Sequence, residues 1–300
     1  MALCVDSISK RFGQVQAVDN VSFEVPTGRV CGLLGSNGAG KTTSMRMIMR
    51  IFLPDQGTIT WNGVPVTDES RKAFGYLPEE RGLYPKFEVR EQLIYLTQLK
   101  GLERKDAATR VDRWIKDLEL TEYAARRVEQ LSKGNQQKVQ FAAAVAAGPS
   151  LAILDEPFTG LDPVNTMVME KAFRTVAAEG TTILFSAHNL DQVEALCENV
   201  VLIHRSHVVL KGLLRDLKKA ARRQSIRLRM ENGDYSFLES IVGITVRESA
   251  AGGREIALPG DMDANLVLCA AAGHGTVTEY SLGEPSLREI YLEKVGANHA

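Results

Sequence analysis

Val30-Cys31-Gly32-Leu33-Leu34-Gly35-Ser36-Asn37-Gly38-Ala39-Gly40-Lys41-Thr42-Thr43 places an apolar run, a glycine-rich loop and the start of a helical stretch in direct succession. The run Val30 to Leu34 suits a strand buried on both faces, and Lys41 to Met49 reads as helix. Between them, Gly35 to Thr42 fits GxxxxGK[ST] in the context that pattern requires, after a buried strand and before a helix. Glycines let the backbone curl so that successive N–H groups face an anion, and the helix N-terminus adds its positive end. In that arrangement Lys41 reaches the β- and γ-phosphates of a nucleotide and the Thr42 hydroxyl takes a place on Mg²⁺. The expected core is α/β.

Further along, Leu151-Ala152-Ile153-Leu154-Asp155-Glu156-Pro157 is an apolar strand ending in two carboxylates. A strand end fixes their direction, so Asp155 is expected on the metal and Glu156 toward the γ-phosphate, where it takes a proton from the attacking water. The strand Ile183 to Ala187 leads into His188, whose imidazole can donate to the γ-phosphate; a lone histidine is more often structural. Leu131-Ser132-Lys133-Gly134-Asn135 precedes a helix from Gln136 to Ala147, with Ser132 as N-cap and Gly134 leaving room for an anion. An ordinary helix cap is the plainer reading of that segment. If it and the glycine-rich loop serve one nucleotide face to face, two chains must meet.

Around these segments Val5 to Val66 alternates as an antiparallel β-subdomain, with Val21, Phe23 and Val25 on one face and Ile59 and Trp61 ahead of an Asn62-Gly63 hairpin turn. Val89 to about Ala125 turns helical, with Leu93, Leu96 and Leu99 on one side and Val111, Trp114, Ile115 and Leu118 in a second segment. Val200 to Ile203 and Val208 to Lys211 read as a closing pair of strands. The basic stretch Arg215, Lys218, Lys219, Arg222 and Arg223 marks a helical linker, and the first domain is taken as 1–218. Over 219–300 the order is strand near Ile226, helix at Tyr235 to Val242, strands near Ile244 and Ile256, helix near Asp261 to Ala272 and strand near Val277, a ferredoxin-like layer. Leu287, Ile290, Tyr291 and Val295 mark a last helix.

With 36 basic and 37 acidic residues and a net charge of −1, nothing in the bulk charge points to nucleic acid, and none is expected as a partner. The cysteines Cys4, Cys31, Cys197 and Cys269 stand far apart without a CxxC pair and read as reduced core thiols. The opening residues MALCVDSISKRFG lack the long apolar stretch of a signal peptide, and no window nears the roughly 18 apolar residues of a membrane helix. A cytosolic location follows as an expectation, with any membrane contact made through a partner.

In order, these elements resemble the nucleotide-binding subunit of ABC transporters over residues 1 to about 218. The resemblance implies a P-loop NTPase of ABC type: mixed sheet core, antiparallel β-subdomain, inserted helical subdomain, and a small α+β C-terminal domain. Gly35, Ser36, Asn37, Gly38, Ala39, Gly40, Lys41, Thr42 and Thr43 are then the Walker A loop. Phe12 is similar to the aromatic that stacks on adenine, with Val18 beside it. Asp155 and Glu156 are Walker B and its catalytic base, Ser132 to Asn135 the signature that meets the partner chain's ATP, Asp162 the D-loop acid and His188 the switch histidine. ATP and Mg²⁺ are implied, with Thr42, Asp155 and Glu79 near the metal. Partners implied are a membrane permease on a separate chain and a second ABC subunit, a homodimer being expected, with the protein peripheral on the inner face of the cell membrane.

Glu79 stands where most members have a glutamine, which keeps the acceptor and loses the amide donor. Lys133 and Asn135 replace the commoner glycine and glutamine of LSGGQ. The segments Leu77 to Tyr84, Leu131 to Lys138 and Pro285 to Ile290 resemble a branch that pairs with sodium-export and drug-export permeases and carries a C-terminal domain of unknown function. Export therefore fits better than import. Two other readings are a soluble ABC ATPase acting on ribosomes or DNA, disfavoured by one Walker A and no sustained heptads, and a nucleotide-gated binding module with weak turnover, motivated by Glu79, Lys133 and Asn135. A GTPase reading lacks an NKxD segment.

Overall fold

The computed structural model describes residues 2–80, 82–221, 223–231, 233–249, 252–259 and 262–296. Arg81, Arg222 and Asp261 lie outside them, as do the side chains of Arg223 and Val295. The chain forms two compact units, Met1–Gly212 and Leu213–Ala300, so the expected linker helix, with Arg215, Lys218 and Lys219, belongs to the second.

In the first unit β1 (Ala2–Phe12) and β2 (Val15–Pro26) pair antiparallel, with Val21, Phe23 and Val25 buried on one face as their alternation requires. β3 (Val30–Leu34) is wholly buried and runs into α1 (Lys41–Ile48). β4 (Gln56–Trp61) and β5 (Val64–Pro65) form the hairpin expected at Asn62-Gly63, both at positive φ. These four outer strands lie in the order β2-β1-β4-β5.

After β6 (Phe74–Leu77) come α2 (Val89–Gln98), α3 (Arg104–Asp117) and α4 (Lys133–Val145). α3 buries Ala107, Val111, Trp114 and Ile115, and Trp114 meets Phe141 of α4 edge-on at 6.0 Å. α2 departs from expectation. Its buried side is Val89, Gln92, Leu93, Ile94 and Thr97, while Leu99 follows the helix end and is 64% exposed.

β7 (Leu151–Leu154), α5 (Pro163–Ala178), β8 (Thr182–Ala187), α6 (Leu190–Leu196), β9 (Asn199–His204) and β10 (His207–Leu213) complete the central six-stranded sheet, ordered β10-β9-β3-β8-β7-β6. β3, β9, β8, β7 and β6 are mutually parallel, with Leu34 level with Ala187, and Leu154 level with both Phe185 and Leu77. The carboxyl ends of β3, β8, β7 and β6 therefore open along one edge, where ligands bind in such sheets.

Close packing of α4 on β6 gives a first prediction. A Cβ on Gly75 would lie 2.1 Å from the Ala144 carbonyl oxygen. Gly75→Ala is expected to cost about 1–3 kcal/mol by overpacking, seen as a lower urea midpoint at unchanged m; an unmoved midpoint would show that α4 can retreat freely.

The second unit holds α7 (Leu214–Ala220), β11 (Arg223–Met230), β12 (Thr245–Glu248), β13 (Arg254–Pro259), α8 (Asn265–His274), β14 (Val277–Gly283) and α9 (Leu287–Gly296). Its sheet runs β12-β13-β11-β14 with every pair antiparallel. Between β11 and β12 the expected helix is only a 3₁₀ turn, Ser236–Ser240, burying Phe237 and Leu238. The Ser240 hydroxyl donates to the Phe237 carbonyl at 2.6 Å, the local competition by which serine disfavours helix. α9 packs on α7 within this unit, with Leu287 and Ile290 buried. Cys31 and Cys197 are buried as expected, but Cys4 is half-buried and Cys269 exposed. Burial pushes the Cys31 thiol up to about 12. Among the described residues no helix is long and apolar enough to cross a membrane.

Candidate functional site

At the shared strand edge Asn37, Gly38, Ala39, Gly40, Lys41, Thr42, Thr43, Glu79 and Glu156 line one cleft of about 280 Å³. The loop from β3 to α1 supplies most of it. Gly40, at φ 110°, precedes the helix, and a Cβ there would lie 2.5 Å from the Ala17 carbonyl oxygen, so the tight return toward α1 requires glycine. Gly35 is closed in likewise, its Cβ position 2.4 Å from the Ile203 carbonyl oxygen. Lys41 is 6% exposed, and its ammonium donates to the Gly35 carbonyl at 2.8 Å and the Ser36 carbonyl at 3.2 Å. An ammonium has three N–H donors, so one is left to give to a ligand.

The two carboxylates that follow β7 differ in setting. Asp155 is fully buried and does not line the cleft; its Oδ1 accepts from the Ser186 hydroxyl at 2.6 Å, and its Oδ2 has no partner. A buried carboxylate oxygen without a donor is costly unless a cation or water completes it. Glu156 does line the cleft, and its backbone sits in the left-handed region at φ 50°. That conformation costs a non-glycine residue about 1–3 kcal/mol and persists only where neighbours fix it. Here they do. The Glu156 N–H donates to Ser186 Oγ at 2.8 Å, its carbonyl accepts from Gln137 Nε2 at 3.3 Å, and its Oε2 lies 2.8 Å from His188 Nδ1 and 3.3 Å from Thr159 Oγ1. The structure thus brings Glu156 and His188 into contact.

The other expected positions lie apart from this cleft. Ser132 caps α4, accepting the Asn135 N–H at 3.2 Å, with Lys133 exposed and Gly134 and Asn135 buried in the first turn. Asp162 caps α5; the backbone N–H of Asn165 at 2.9 Å, with its side-chain amide, holds the exposed carboxyl below the usual range. Phe12 is 47% exposed, with Phe52 in a T-shaped contact at 5.4 Å and the Lys10 ammonium 5.8 Å from its ring centroid. Val18 is not exposed beside it. It is fully buried in the core, close behind Gly40.

Three polar residues that hold the site in place were not singled out from the sequence. Ser186 binds both Asp155 and Glu156; Gln137 donates to the Pro157 carbonyl at 3.0 Å; and Gln140 donates to the Glu80 carbonyl at 3.1 Å, beside Glu79. A signal existed: a serine inside the apolar run Ile183 to Ala187, and glutamines inside an otherwise buried helix, each demand a partner.

Comparison with known proteins gives the same direction. The ABC transporter family model matches residues 18–159, and the model of the C-terminal domain of DrrA1-3-like ATP-binding proteins matches 212–295. Uncharacterized ABC transporter ATP-binding protein YhaQ of Bacillus subtilis (strain 168) is 41% identical over 295 residues, 98% of this chain and 99% of YhaQ. Nod factor export ATP-binding protein I of Paraburkholderia xenovorans (strain LB400) is 35% identical, with 70% of each chain covered. A solved ATP-binding subunit of an ABC transporter superposes with a TM-score of 0.68 at 31% identity, covering 74% of this chain and 93% of its own. Since the likeness to YhaQ runs through both compact units, the chain belongs to the ATP-binding subunits of ABC transporters.

Proposed function

We propose that this subunit hydrolyses ATP at the cleft between the glycine-rich loop and Glu156 and uses the cycle to drive a membrane permease on a separate chain. The observation that carries the reading is Glu156: its carboxylate lines the cleft and is anchored at His188 and Thr159, so a base stands fixed where phosphates would lie. The backbone N–H groups of the loop and the spare donor of Lys41 take the phosphate oxygens. Phe12, half exposed, is the aromatic available to the adenine.

The donor set fits Mg²⁺. Hard oxygen ligands from one or two side chains, with substrate phosphates and water, are its usual shell, and Asp155 Oδ2 is a buried carboxylate oxygen with no hydrogen-bond partner in the protein. Thr42 and Glu79, both at the cleft, would complete the protein's share. When bound, the ion supplies neutralisation of charge on the transferring phosphoryl group.

Ser132 to Asn135 and Asp162 do not line the cleft of their own chain: Ser132 and Lys133 stand exposed at the start of α4, with Gly134 and Asn135 buried behind them, and Asp162 is exposed at the start of α5. The site is therefore complete only when a second subunit brings its Ser132 and Gly134 to the nucleotide, and two copies of this chain are the simplest pair. Export is the direction favoured, since the name of a relative states export. The protein would sit on the inner face of the cell membrane through its permease. The C-terminal part, 219–300, is read as a ferredoxin-like layer on the strength of its strand order, with no transport role assigned.

The test is ATP turnover of the purified chain with MgCl₂ against its own concentration. Turnover per chain should rise with concentration and then level. A flat specific rate would reject the homodimer, and no turnover at any concentration would leave an ATP-binding module.

A further inference from the structure

Ser186 lies in β8, where every residue from Thr182 to Ala187 is buried, so its hydroxyl must find partners within the protein. It has two, and both belong to the carboxylate pair: Asp155 Oδ1 at 2.6 Å and the Glu156 N–H at 2.8 Å. The geometry leaves no ambiguity about the proton. The Glu156 amide can only donate, so the serine oxygen accepts there and its single O–H is given to Asp155. Two consequences follow. With Oδ1 held, the Asp155 carboxylate is fixed in rotation and presents Oδ2, the oxygen without a partner. With its N–H held, the Glu156 peptide is kept at φ 50°, from which its carboxylate reaches His188.

We propose that Ser186 is the positioning residue of this site: one hydroxyl sets both the metal-side oxygen of Asp155 and the backbone that aims Glu156. The inference rests on the ATPase reading above. Ser186 itself touches neither nucleotide nor metal. It acts as an outer-shell group does, and loss of such a group commonly weakens metal binding by about 10–100-fold.

The test uses the full chain and two titrations: ATP in EDTA, and Mn²⁺ added at saturating ATP, followed by the paramagnetic resonance lineshape of protein-bound Mn²⁺. Ser186→Ala should raise the Mn²⁺ needed for half-saturation about tenfold, leave ATP affinity in EDTA within about twofold, and speed amide exchange at Asp155, Glu156 and Phe158. Ser186→Thr, which keeps the hydroxyl, should behave as wild type. Should the alanine variant not fold, Ser186→Cys is titrated in its place and must show the same selective loss. An unchanged Mn²⁺ requirement overturns the proposal, as does an equal loss of affinity with and without metal, which would mark Ser186 as merely structural. A wild-type chain that fails to bind ATP even in EDTA would overturn the nucleotide-site reading itself, an outcome distinct from wild-type binding whose metal response ignores Ser186.

Discussion

Glu156→Gln should lower ATP turnover by about 10²–10⁴-fold, the usual worth of a positioned general base, while ATP affinity changes by less than about threefold. The substitution keeps volume and one side-chain acceptor, so the left-handed backbone, held by Ser186 and Gln137 through main-chain atoms, is not disturbed. What disappears is the carboxylate's capacity to take a proton from water beside the γ-phosphate. If binding and chemistry are separated in this way, the variant should also linger as a nucleotide-held pair of chains, visible by light scattering with ATP and Mg²⁺. The decisive comparison is with wild type under the same conditions. A drop of under threefold would show that Glu156 is not the working base and would favour a nucleotide-gated module.

The parts of this site that were legible in the sequence are contiguous. Gly35 to Thr43 carries its own context, because a strand, a loop and a helix follow within one short segment, and the two acids ending Leu151 to Leu154 announce themselves against an apolar run. What was not legible depends on neighbours distant in the chain. Ser186 and Asp155 meet because β8 and β7 are adjacent and parallel, a pairing that no local pattern states. Gln137 reaches the carbonyls of Glu156 and Pro157 from α4, and its polarity alone did not say where it would point. Val18, placed beside Phe12 by the resemblance, is fully buried and packs behind Gly40, a position that its neighbourhood in the sequence does not state. The helix expected over Tyr235 to Val242 is only the 3₁₀ turn Ser236–Ser240 for a local reason, since two serines and a following Gly243 outweigh the apolar residues of the segment. Leu99 failed because the helix stopped one residue sooner than its periodicity.

Lys41→Ala should remove the stabilisation that ATP gives the protein while leaving the nucleotide-free protein nearly as stable as before. In the free chain the Lys41 ammonium is buried against two carbonyls of its own loop and stands at the positive end of α1, an arrangement that costs desolvation and gains its full return only from an anion. Truncating one partner of a buried charge pair commonly costs about 2–5 kcal/mol of binding, which is roughly 30-fold to several-thousand-fold in Kd. At an ATP concentration of 100 times the wild-type Kd, wild type gains about 2.7 kcal/mol. A variant weakened 30-fold would gain under about 1 kcal/mol at the same concentration by the same relation. Thermal unfolding with and without ATP therefore separates the two roles the residue could have. A lysine that binds phosphate loses the ATP-dependent shift in Tm and keeps the free-protein Tm. If instead the free protein loses several kcal/mol and the ATP shift survives, Lys41 is a tie for its own loop, and the phosphates are held by the backbone N–H groups and α1 alone.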